Sequence, residues 1–320
     1  MNLRGIEFGR VLGASGVQGF FGEGYWYHRL WRPFGLSFSG MTFVAKTTTY
    51  HPRKGNLPLG ADGMTPAEYL PRCIVVKPWK GVALNAVGLS GPGARALFET
   101  GEWQSRSAPF FISFMSVADT MFQRHEELRK FVNLLAQYLP FFRTRVGLQL
   151  NFSCPNVGPT HDALVPEIES ALYTAGRLGI PLVPKLAVTA LPALAARVSR
   201  LDFCDAICVS NTVPWGSFPQ AIDWKGLFGS ETSPLAVIGG GGLSGAPLLP
   251  LVARWIALAR EAGYAKPFIV GGGILSVRDV GTLIGAGLDL RRDAISLGSV
   301  AFLRPWRVHG IIRAAQKTAC

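Results

Sequence analysis

The stretch VGLQLNFSCPN, residues 146–156, joins a short apolar run to a cluster of polar side chains. Its first part, residues 146–150, has the apolar pattern of a buried β-strand. The part that follows brings together two asparagines, a serine and a cysteine. Enzymes built on α/β barrels place their chemistry at the carboxyl ends of buried strands. We therefore expect a parallel strand here, with a functional site at its carboxyl end.

Runs of the same kind recur along the chain, and helix-like segments separate several of them. Residues 126–139 have apolar side chains at helical spacing, whereas residues 166–179 open with proline and acidic residues and close on glycine. A strand followed by a helix, repeated eight times, predicts an α/β fold, a (β/α)8 TIM barrel forming one domain over residues 1–320. The predicted strands are residues 10–15, 43–47, 110–114, 148–152, 182–186, 206–210, 268–272 and 294–298.

Two connections between these strands are too long for a single crossover helix. They are residues 48–109, which contain strand-like runs at 73–76 and 83–87, and residues 211–267. We expect loop excursions after the second and the sixth strands, on the face that holds the active site of such barrels. Within the second connection, the uncharged residues 232–253 are rich in glycine and proline, which predicts loops and turns rather than a membrane-spanning helix.

The composition is that of a globular chain with a large core, because 48% of the residues are hydrophobic and only 16% are charged. The net charge of +12 favours anionic partners, but the basic residues are dispersed. Nucleic-acid binding is not expected, since it leaves a basic stripe. Residues 1–16 lack the apolar region of a secretory signal, which favours a cytoplasmic location.

The five cysteines are odd in number and lack metal-ligand spacing, which predicts reduced thiols rather than a disulfide framework. Cys204 and Cys208 are interpreted as core residues that share one face of a strand. The five histidines show no paired spacing, so no metal site is predicted.

Residues 20–38, FFGEGYWYHRLWRPFGLSF, are rich in Tyr, Trp and Arg. Two interpretations of this segment are open. One is a membrane-interface segment, and the other is a helix that packs on the barrel with an aromatic surface.

Polar residues or glycines occupy the carboxyl ends of most predicted strands. The glycine turns after the seventh and the eighth strands can present backbone N–H groups to a phosphate, as these loops do in many barrels. The residues at the strand ends are Ala14 and Ser15, Lys46 and Thr47, Asn151 with Cys154 and Asn156, Lys185, Asn211 and Thr212, Gly271 to Gly273, and Gly298 with Ser299.

Three kinds of side chain in this set carry chemistry. Lys46 and Lys185 stand among apolar residues, so each must either extend to solvent or pair with negative charge, and two at a phosphate-binding end favour the second. Cys154 has no histidine in its segment and suits general-base work where a lysine or backbone dipole favours its thiolate. Each asparagine alone is a turn or cap residue, but four together suit a planar imide or ureide ring. The four are Asn85, Asn151, Asn156 and Asn211.

The motifs, taken in order, resemble the dihydroorotate dehydrogenases, FMN-dependent barrels of pyrimidine biosynthesis. The resemblance covers nearly the whole chain. The motifs are LGASG (12–16), VAKTTTYHPRKGN (44–56), LNAVGL (84–89), LNFSCPN (150–156), VPKLAV (183–188), SNT (210–212), GGLSG (241–245), VGGGI (270–274) and LGSVAF (297–302).

This resemblance implies oxidation of dihydroorotate to orotate. Cys154 matches the base that removes the C5 proton while the C6 hydride passes to flavin N5, and a cysteine here indicates the soluble, class 1-like branch. Lys46 matches the lysine between flavin and substrate, and Lys185 the lysine at flavin N1. The residues matching substrate contacts are Lys46, Asn85, Gly88, Leu89, Asn151, Asn156, Asn211 and Thr212. Those matching FMN contacts are Ala14, Ser15, Lys46, Thr47, Asn151, Lys185, Ser244, Gly245, Gly272, Gly273, Gly298 and Ser299.

The resemblance also implies partners. We expect a homodimer, or an assembly with an electron-transfer subunit where NAD is the electron acceptor, and the acceptor itself stays open. The basic charge and the segment 20–38 leave membrane association open, and the loop after Asn156 departs from the family pattern. Two alternatives to dihydroorotate oxidation are open: a related flavoprotein acting on another dihydropyrimidine, and a catalytically silent flavin-binding subunit.

Overall fold

The computed structural model describes residues 1–152 and 161–317. Its strands are β1 (Asn2–Leu3), β2 (Ile6–Glu7), β3 (Val11–Gly13), β4 (Ile74–Lys77), β5 (Val82–Asn85), β6 (Phe110–Phe114), β7 (Val146–Asn151), β8 (Leu182–Leu186), β9 (Ile207–Val209), β10 (Val213–Pro214), β11 (Gly242–Gly245), β12 (Phe268–Gly271) and β13 (Ala294–Leu297). Its helices are α1 (Trp26–Trp31), α2 (Ala94–Glu99), α3 (Met121–Tyr138), α4 (His161–Gly176), α5 (Ala193–Ser199), α6 (Trp224–Phe228), α7 (Leu248–Glu261), α8 (Val277–Gly285), α9 (Val300–Leu303) and α10 (Val308–Lys317).

Seven strands form one curled parallel sheet in the order β3, β13, β12, β9, β8, β7, β6. Helices follow most of these strands and pack outside them, so the architecture is an α/β, TIM-barrel-like fold. All seven correspond to runs that the sequence predicts as strands. Because the strands are parallel, their carboxyl ends meet at the same end of the sheet.

The predicted second strand, residues 43–47, is not a continuous strand in the structure. Isolated parallel bridges join Thr42 to β3, and Val44 and Thr48 to β6, so the segment touches both edges of the sheet. Its pairing is interrupted because two backbone N–H groups are used elsewhere. The Lys46 N–H donates to the Gly19 carbonyl at 2.9 Å, and the Thr47 N–H donates to Ser15 Oγ at 3.2 Å.

A second, antiparallel sheet is built from the two long connections, in the order β10, β11, β5, β4. The strand-like runs 73–76 and 83–87 appear in it as β4 and β5. The prediction of loops and turns for residues 232–253 is wrong in part, because this range contains β11 and the beginning of α7. Proline at Pro247 and Pro250 is compatible with the first turn of a helix, where backbone N–H groups have no partner within the helix.

Two apolar clusters lie on opposite faces of the parallel sheet. The larger one includes residues of the helices and therefore lies between sheet and helices. The smaller one contains no helix residue and fills the inside of the curled sheet at its amino end, covered by the β1–β2 hairpin. Its members are Met1, Leu3, Ile6, Phe8, Leu12, Val44, Phe111, Val183, Ala206, Cys208, Ile269 and Ala294.

Buried polar side chains stand directly above this inner cluster. Ser113, Lys185 and Ser296 follow an inner apolar residue of their strands by two positions, and Gln149 is in register with Val183. Side chains two apart on a strand share a face, so these polar groups point to the inside. The inside of the sheet is therefore apolar at the amino end and polar toward the carboxyl end.

Two local predictions need correction. Helix α4 begins at His161 rather than at Pro166, which lies inside it. The helical spacing of buried residues already includes Val165, ahead of Ile168 and Leu172, so the proline is not the start of the pattern. Cys204 lies in the turn before β9 and belongs to the outer cluster, while Cys208 belongs to the inner one, so the two do not share a face.

The aromatic segment 20–38 forms the six-residue helix α1 followed by a short 3-10 turn. Trp31 packs on Trp306 with ring centroids 5.2 Å apart, while Leu30 and Phe34 are exposed. This is the helix with an aromatic surface that one of the two interpretations describes. Within residues 1–152 and 161–317, no helix is both long enough and apolar enough to cross a membrane.

Candidate active site

The carboxyl ends of β7, β8 and β9 bring three predicted site residues together. Asn151 is in register with Lys185, so both side chains lie on the inner face of neighbouring strands. Asn211, which follows β9, donates from Nδ2 to Asn151 Oδ1 at 2.7 Å. Residues far apart in sequence thus form one polar cluster, as the strand-end pattern predicts.

Lys185 carries a buried ammonium group. Its side chain is 7% exposed, and within the described part of the chain its ammonium makes no hydrogen bond or ion pair. Burial lowers the pKa of Lys185, and the neighbouring Cys208 thiol opposes this only in part. A buried charge without a partner is costly, so this group is suited to an electron-rich ligand atom.

Gln149 presents a second buried polar atom beside Lys185. Among the residues that the structure describes, no donor reaches its Oε1 atom. An unpaired buried acceptor costs about 1–3 kcal/mol, so a ligand that donates here would relieve a penalty. Sequence analysis missed Gln149, although a glutamine within the apolar run VGLQL was a visible signal.

Hydroxyl groups from the loop after β3, from the segment 42–48 and from β6 form a chain. Ser15 Oγ and Thr47 Oγ1 are 2.5 Å apart, and Thr47 Oγ1 is 2.9 Å from Ser113 Oγ. Ser15 and Thr47 are predicted cofactor contacts, and the structure places them in direct contact. Ser113 was not predicted, although it is a lone polar residue in the buried strand FFISF.

Lys46 lies next to these hydroxyls in sequence but has a different environment. Its ammonium donates to the Ser90 carbonyl oxygen and lies 4.5 Å from the centroid of the Phe20 ring. Burial lowers the pKa of Lys46 to about 8, and the Glu23 carboxylate opposes the shift. The predicted substrate lysine is therefore close to losing its proton in the neutral to mildly basic range.

Glycines from separate loops meet in a tight backbone cradle. A Cβ atom added to Gly245 would lie 2.1 Å from the Gly81 carbonyl oxygen, and one added to Gly273 would lie 2.5 Å from the Leu249 backbone nitrogen. Gly273 thus packs against the first turn of α7, where the Leu249 N–H donates to the Ala246 carbonyl at 3.2 Å. The start of a helix is a favourable place for a phosphate. Gly298 closes on Ala14 in a similar contact, since its added Cβ would be 3.1 Å from the Ala14 Cβ.

The remaining predicted cofactor contacts border this cradle. Gly272 has a φ of 124°, and Ser244 on β11 donates to the Ala83 carbonyl at 3.4 Å. Ser299 is the N-cap residue of α9. These predicted FMN contacts thus come from three segments, residues 244–245, 272–273 and 298–299, and Gly273 lies against Gly245 and the first turn of α7.

The predicted substrate contacts of the long connections meet at the second sheet. Asn85 donates from Nδ2 to the Gly242 carbonyl at 3.4 Å, and a Cβ added to Gly242 would lie 2.2 Å from Thr212 Oγ1. Gly88 and Leu89 occupy a turn in which both have positive φ, 72° and 60°.

The predicted base Cys154 and the amide Asn156 lie outside the described residues. The described thiols do not suit base chemistry, because burial raises the pKa of Cys208 to about 11 and that of Cys204 to about 12. Within residues 1–152 and 161–317, no group of three His, Cys, Asp or Glu side chains is placed to hold a metal ion.

Comparison with known proteins connects this geometry to a family. The sequence model of the dihydroorotate dehydrogenase family matches residues 1–314. The chain belongs to the dihydroorotate dehydrogenase family. This confirms the resemblance drawn from the nine motifs, and the match extends through the parallel sheet and both long connections.

Similar relatives come from several organisms, and each is named the catalytic subunit of dihydroorotate dehydrogenase B (NAD(+)). The protein from Anoxybacillus flavithermus is 29% identical over 309 residues, covering 94% of this chain and 84% of the relative. The protein from Methanopyrus kandleri is 31% identical over 254 residues, covering 76% of this chain and 69% of the relative. The one from Desulforudis audaxviator is 29% identical over 303 residues, covering 92% and 83%.

Proposed function

We propose that this chain oxidises dihydroorotate to orotate with a bound FMN at the carboxyl end of the parallel sheet. Family membership supports the reaction. The observation that supports a flavin at this place is the buried Lys185 ammonium, which makes no bond within the described chain and lies in register with Asn151. An anionic, planar ligand with an acceptor edge suits such a group.

The residues present fit FMN. The glycine cradle of Gly245, Gly272 and Gly273, with Gly298 and Ser299, would hold the phosphate through backbone N–H groups. Lys185 would face flavin N1, and Gln149 Oε1 would accept a hydrogen bond from the ring system. The remaining proposed contacts are Ala14, Ser15, Lys46, Thr47, Asn151 and Ser244.

The proposed substrate site uses amides, one lysine and one thiol. Amides of Asn85, Asn151, Asn156 and Asn211 would orient the pyrimidine ring, with Gly88, Leu89 and Thr212 beside them. The Lys46 ammonium would stabilise negative charge on the substrate. Cys154 Sγ would take the proton from C5. Bound FMN supplies the acceptor for the C6 hydride.

We also propose that the parallel sheet and the segment 42–48 together form a closed (β/α)8 barrel, one domain over residues 1–320. The bridges from Thr42 to β3 and from Val44 and Thr48 to β6 support this, because they fill the gap between the two edge strands. The loops after the second and the sixth strands would then be the two excursions.

A partner subunit is part of the same proposal. The similar proteins are named catalytic subunits of an NAD(+)-linked enzyme, which supports an assembly in which a second protein carries electrons to NAD. A homodimer of the catalytic chain is expected at its centre. Copurification of a second, redox-active subunit with the catalytic chain from the source cells tests the assembly.

The test of the reaction is anaerobic mixing of the purified protein with dihydroorotate while the visible absorption band of the flavin is followed. We expect rapid bleaching, and a rate about 100-fold or more lower in Cys154→Ala, because general-base catalysis contributes about 10²–10⁴. Cys204→Ala, which removes another thiol far from the strand ends, is the matched control and should bleach normally.

The outcomes separate the alternatives. If another dihydropyrimidine bleaches the yellow protein and dihydroorotate does not, that other compound is the substrate. A yellow protein that no dihydropyrimidine bleaches would indicate a silent flavin-binding subunit. A colourless protein that takes up no added FMN would contradict the cofactor.

A further inference from the structure

The ring of Phe20 is fixed in place next to the Lys46 ammonium. Phe20 is 1% exposed, and its carbonyl accepts a hydrogen bond from Trp103 Nε1 at 2.7 Å. Its far edge abuts Gly91, where an added Cβ would lie 2.9 Å from Phe20 Cζ. The Gly91 backbone therefore limits the ring at its Cζ edge, and the Lys46 Nζ atom lies 4.5 Å from the ring centroid.

This contact has the geometry of a cation–π interaction. An ammonium within about 6 Å of a ring centroid is attracted by the electrons of the ring face, and the attraction grows when both groups are shielded from water. Among the residues that the structure describes, the Lys46 ammonium makes one hydrogen bond, which it donates to the Ser90 carbonyl oxygen. A neutral ring and a neutral carbonyl thus provide the immediate surroundings of a largely buried charge.

Two ionised groups lie near Lys46 and Phe20: Glu23, three residues after Phe20, and Arg106, which precedes β6. The Glu23 carboxylate accepts hydrogen bonds from the backbone N–H groups of Phe20 at 2.9 Å and Phe21 at 2.7 Å, and its charge favours protonated Lys46. Arg106, whose guanidinium donates to the Phe21 carbonyl at 2.7 Å, also interacts with Glu23. Glu23 is bonded to the backbone N–H groups of Phe20 and Phe21, whereas the Phe20 ring and the Ser90 carbonyl oxygen contact the ammonium directly.

We propose that Phe20 is a positioning residue for the reaction: its ring holds the Lys46 side chain in one orientation and keeps it protonated for the anionic substrate. This inference rests on the proposed function, because Lys46 is the proposed substrate lysine. The role of Phe20 is electrostatic as well as steric. An aliphatic residue of similar size fills the space without attracting the ammonium.

The first test measures the protonation of Lys46 directly. Competitive acetylation of the purified protein at a series of pH values, read by mass spectrometry, gives the pKa of Lys46 whether or not any substrate is oxidised. In the wild type we expect a midpoint at about 8, set by burial. Phe20→Leu should lower it by about one unit, a tenfold loss of proton affinity, because the ring no longer stabilises the charged form.

Phe98→Leu is the matched control. Phe98 is equally buried and packs on Trp103 with ring centroids 5.0 Å apart, but it makes no contact with Lys46. The control should destabilise the fold and leave the Lys46 midpoint in place. Replacement of Phe20 by 3,5-difluorophenylalanine keeps the volume and weakens the ring electrons, so it should lower the midpoint even where Phe20→Leu folds poorly.

The second readout is the rate of anaerobic flavin reduction by dihydroorotate against pH. The rate should fall as the pH rises through the Lys46 pKa, and Phe20→Leu should move this fall to lower pH, with about a fivefold loss at pH 8 and little change at pH 6. An unchanged Lys46 midpoint in both Phe20 variants would overturn the proposal. Absence of flavin reduction in the wild type would count against the proposed function, whereas the acetylation midpoint would still decide the role of the ring.

Discussion

Lys185 is a single residue that lowers the stability of the folded chain and at the same time provides a binding site for a ligand. Its ammonium is buried without a partner in the described chain, and burial lowers its pKa. Such a group destabilises the protein by itself and stabilises whatever anion binds to it. Removal of the charge should therefore raise the free energy of unfolding of the flavin-free protein and lower the reduction potential of the bound flavin.

Lys185→Met tests this opposition. The flavin-free variant should gain about 1 kcal/mol or more in free energy of unfolding, since an apolar side chain replaces an unpaired buried charge. The reduction potential of the bound flavin should fall by about 30 mV or more, because the charge that favours the reduced form is gone. Urea unfolding and a redox-dye titration measure the two effects.

Lys266→Met is the control for this experiment. Lys266 donates to the Cys204 carbonyl at 2.6 Å, remote from the carboxyl ends of the strands. Its replacement should lower stability slightly and leave the flavin potential unchanged. A gain in stability for both variants, or an equal potential for Lys185→Met and wild type, would contradict the role given to Lys185.

At the scale of elements, glycine turns decide whether the loops can approach one another. Gly273 has a φ of 78° and contacts the backbone of the first turn of α7, so both its conformation and its missing side chain are required. Gly281 in α8 is the contrasting case, because nothing lies within 4 Å of an added Cβ. The same residue type is thus indispensable in one element and replaceable in another.

Gly273→Ala should cost about 2 kcal/mol or more in free energy of unfolding and release the flavin, since the added carbon forces the turn away from α7. Gly281→Ala should stabilise the protein by about 0.5–1 kcal/mol, because alanine is the better helix former. Thermal unfolding and the flavin-to-protein absorbance ratio measure both. Full flavin occupancy in Gly273→Ala would show that the cradle does not hold the cofactor.

Across the whole molecule, the two ends of the parallel sheet have different tasks. Just before β13, the fully buried Asp293 accepts bonds from Arg260 at 2.7 Å and 2.9 Å and from the Phe268 N–H at 2.9 Å. Arg260 also stacks on Phe268, 4.4 Å from its ring centroid. This network joins α7, β12 and β13 at the amino end, opposite the candidate site, where barrel residues serve stability.

Asp293→Asn should therefore reduce stability without changing the chemistry. Asparagine at this position leaves Arg260 without its counter-charge, although Arg260 keeps its hydrogen bonds to the Tyr264 and Lys266 carbonyls. We expect a loss of about 3 kcal/mol in free energy of unfolding by urea. The rate of flavin bleaching at 25 °C should equal that of the wild type. Glu231→Gln, which breaks the exposed pair with Lys225, should change neither quantity. A slower bleaching rate in the folded Asp293→Asn variant would refute the division between the two ends.

Local patterns in the sequence were sufficient to predict the seven strands of the parallel sheet, and the motif order sufficed for the family. Apolar runs such as FFISF and LVPKL identify buried strands by themselves, because burial on both faces leaves a continuous signal. Helix boundaries are harder to predict from local patterns. Pro166 predicts a start for α4 that the structure does not have, because a proline signal is local whereas the packing of Val165 against the core is not.

Local signals are enough to place polar residues and glycines near the carboxyl ends of the strands, because strand, glycine and proline signals act over a few neighbours. The contacts of those residues depend on the folded chain. That Lys185 has no partner in the described chain, that Lys46 faces Phe20, and that Ser113 completes the hydroxyl chain with Thr47 all depend on strand register and long connections. These are contacts between distant segments, and no local pattern encodes the geometry that brings them together.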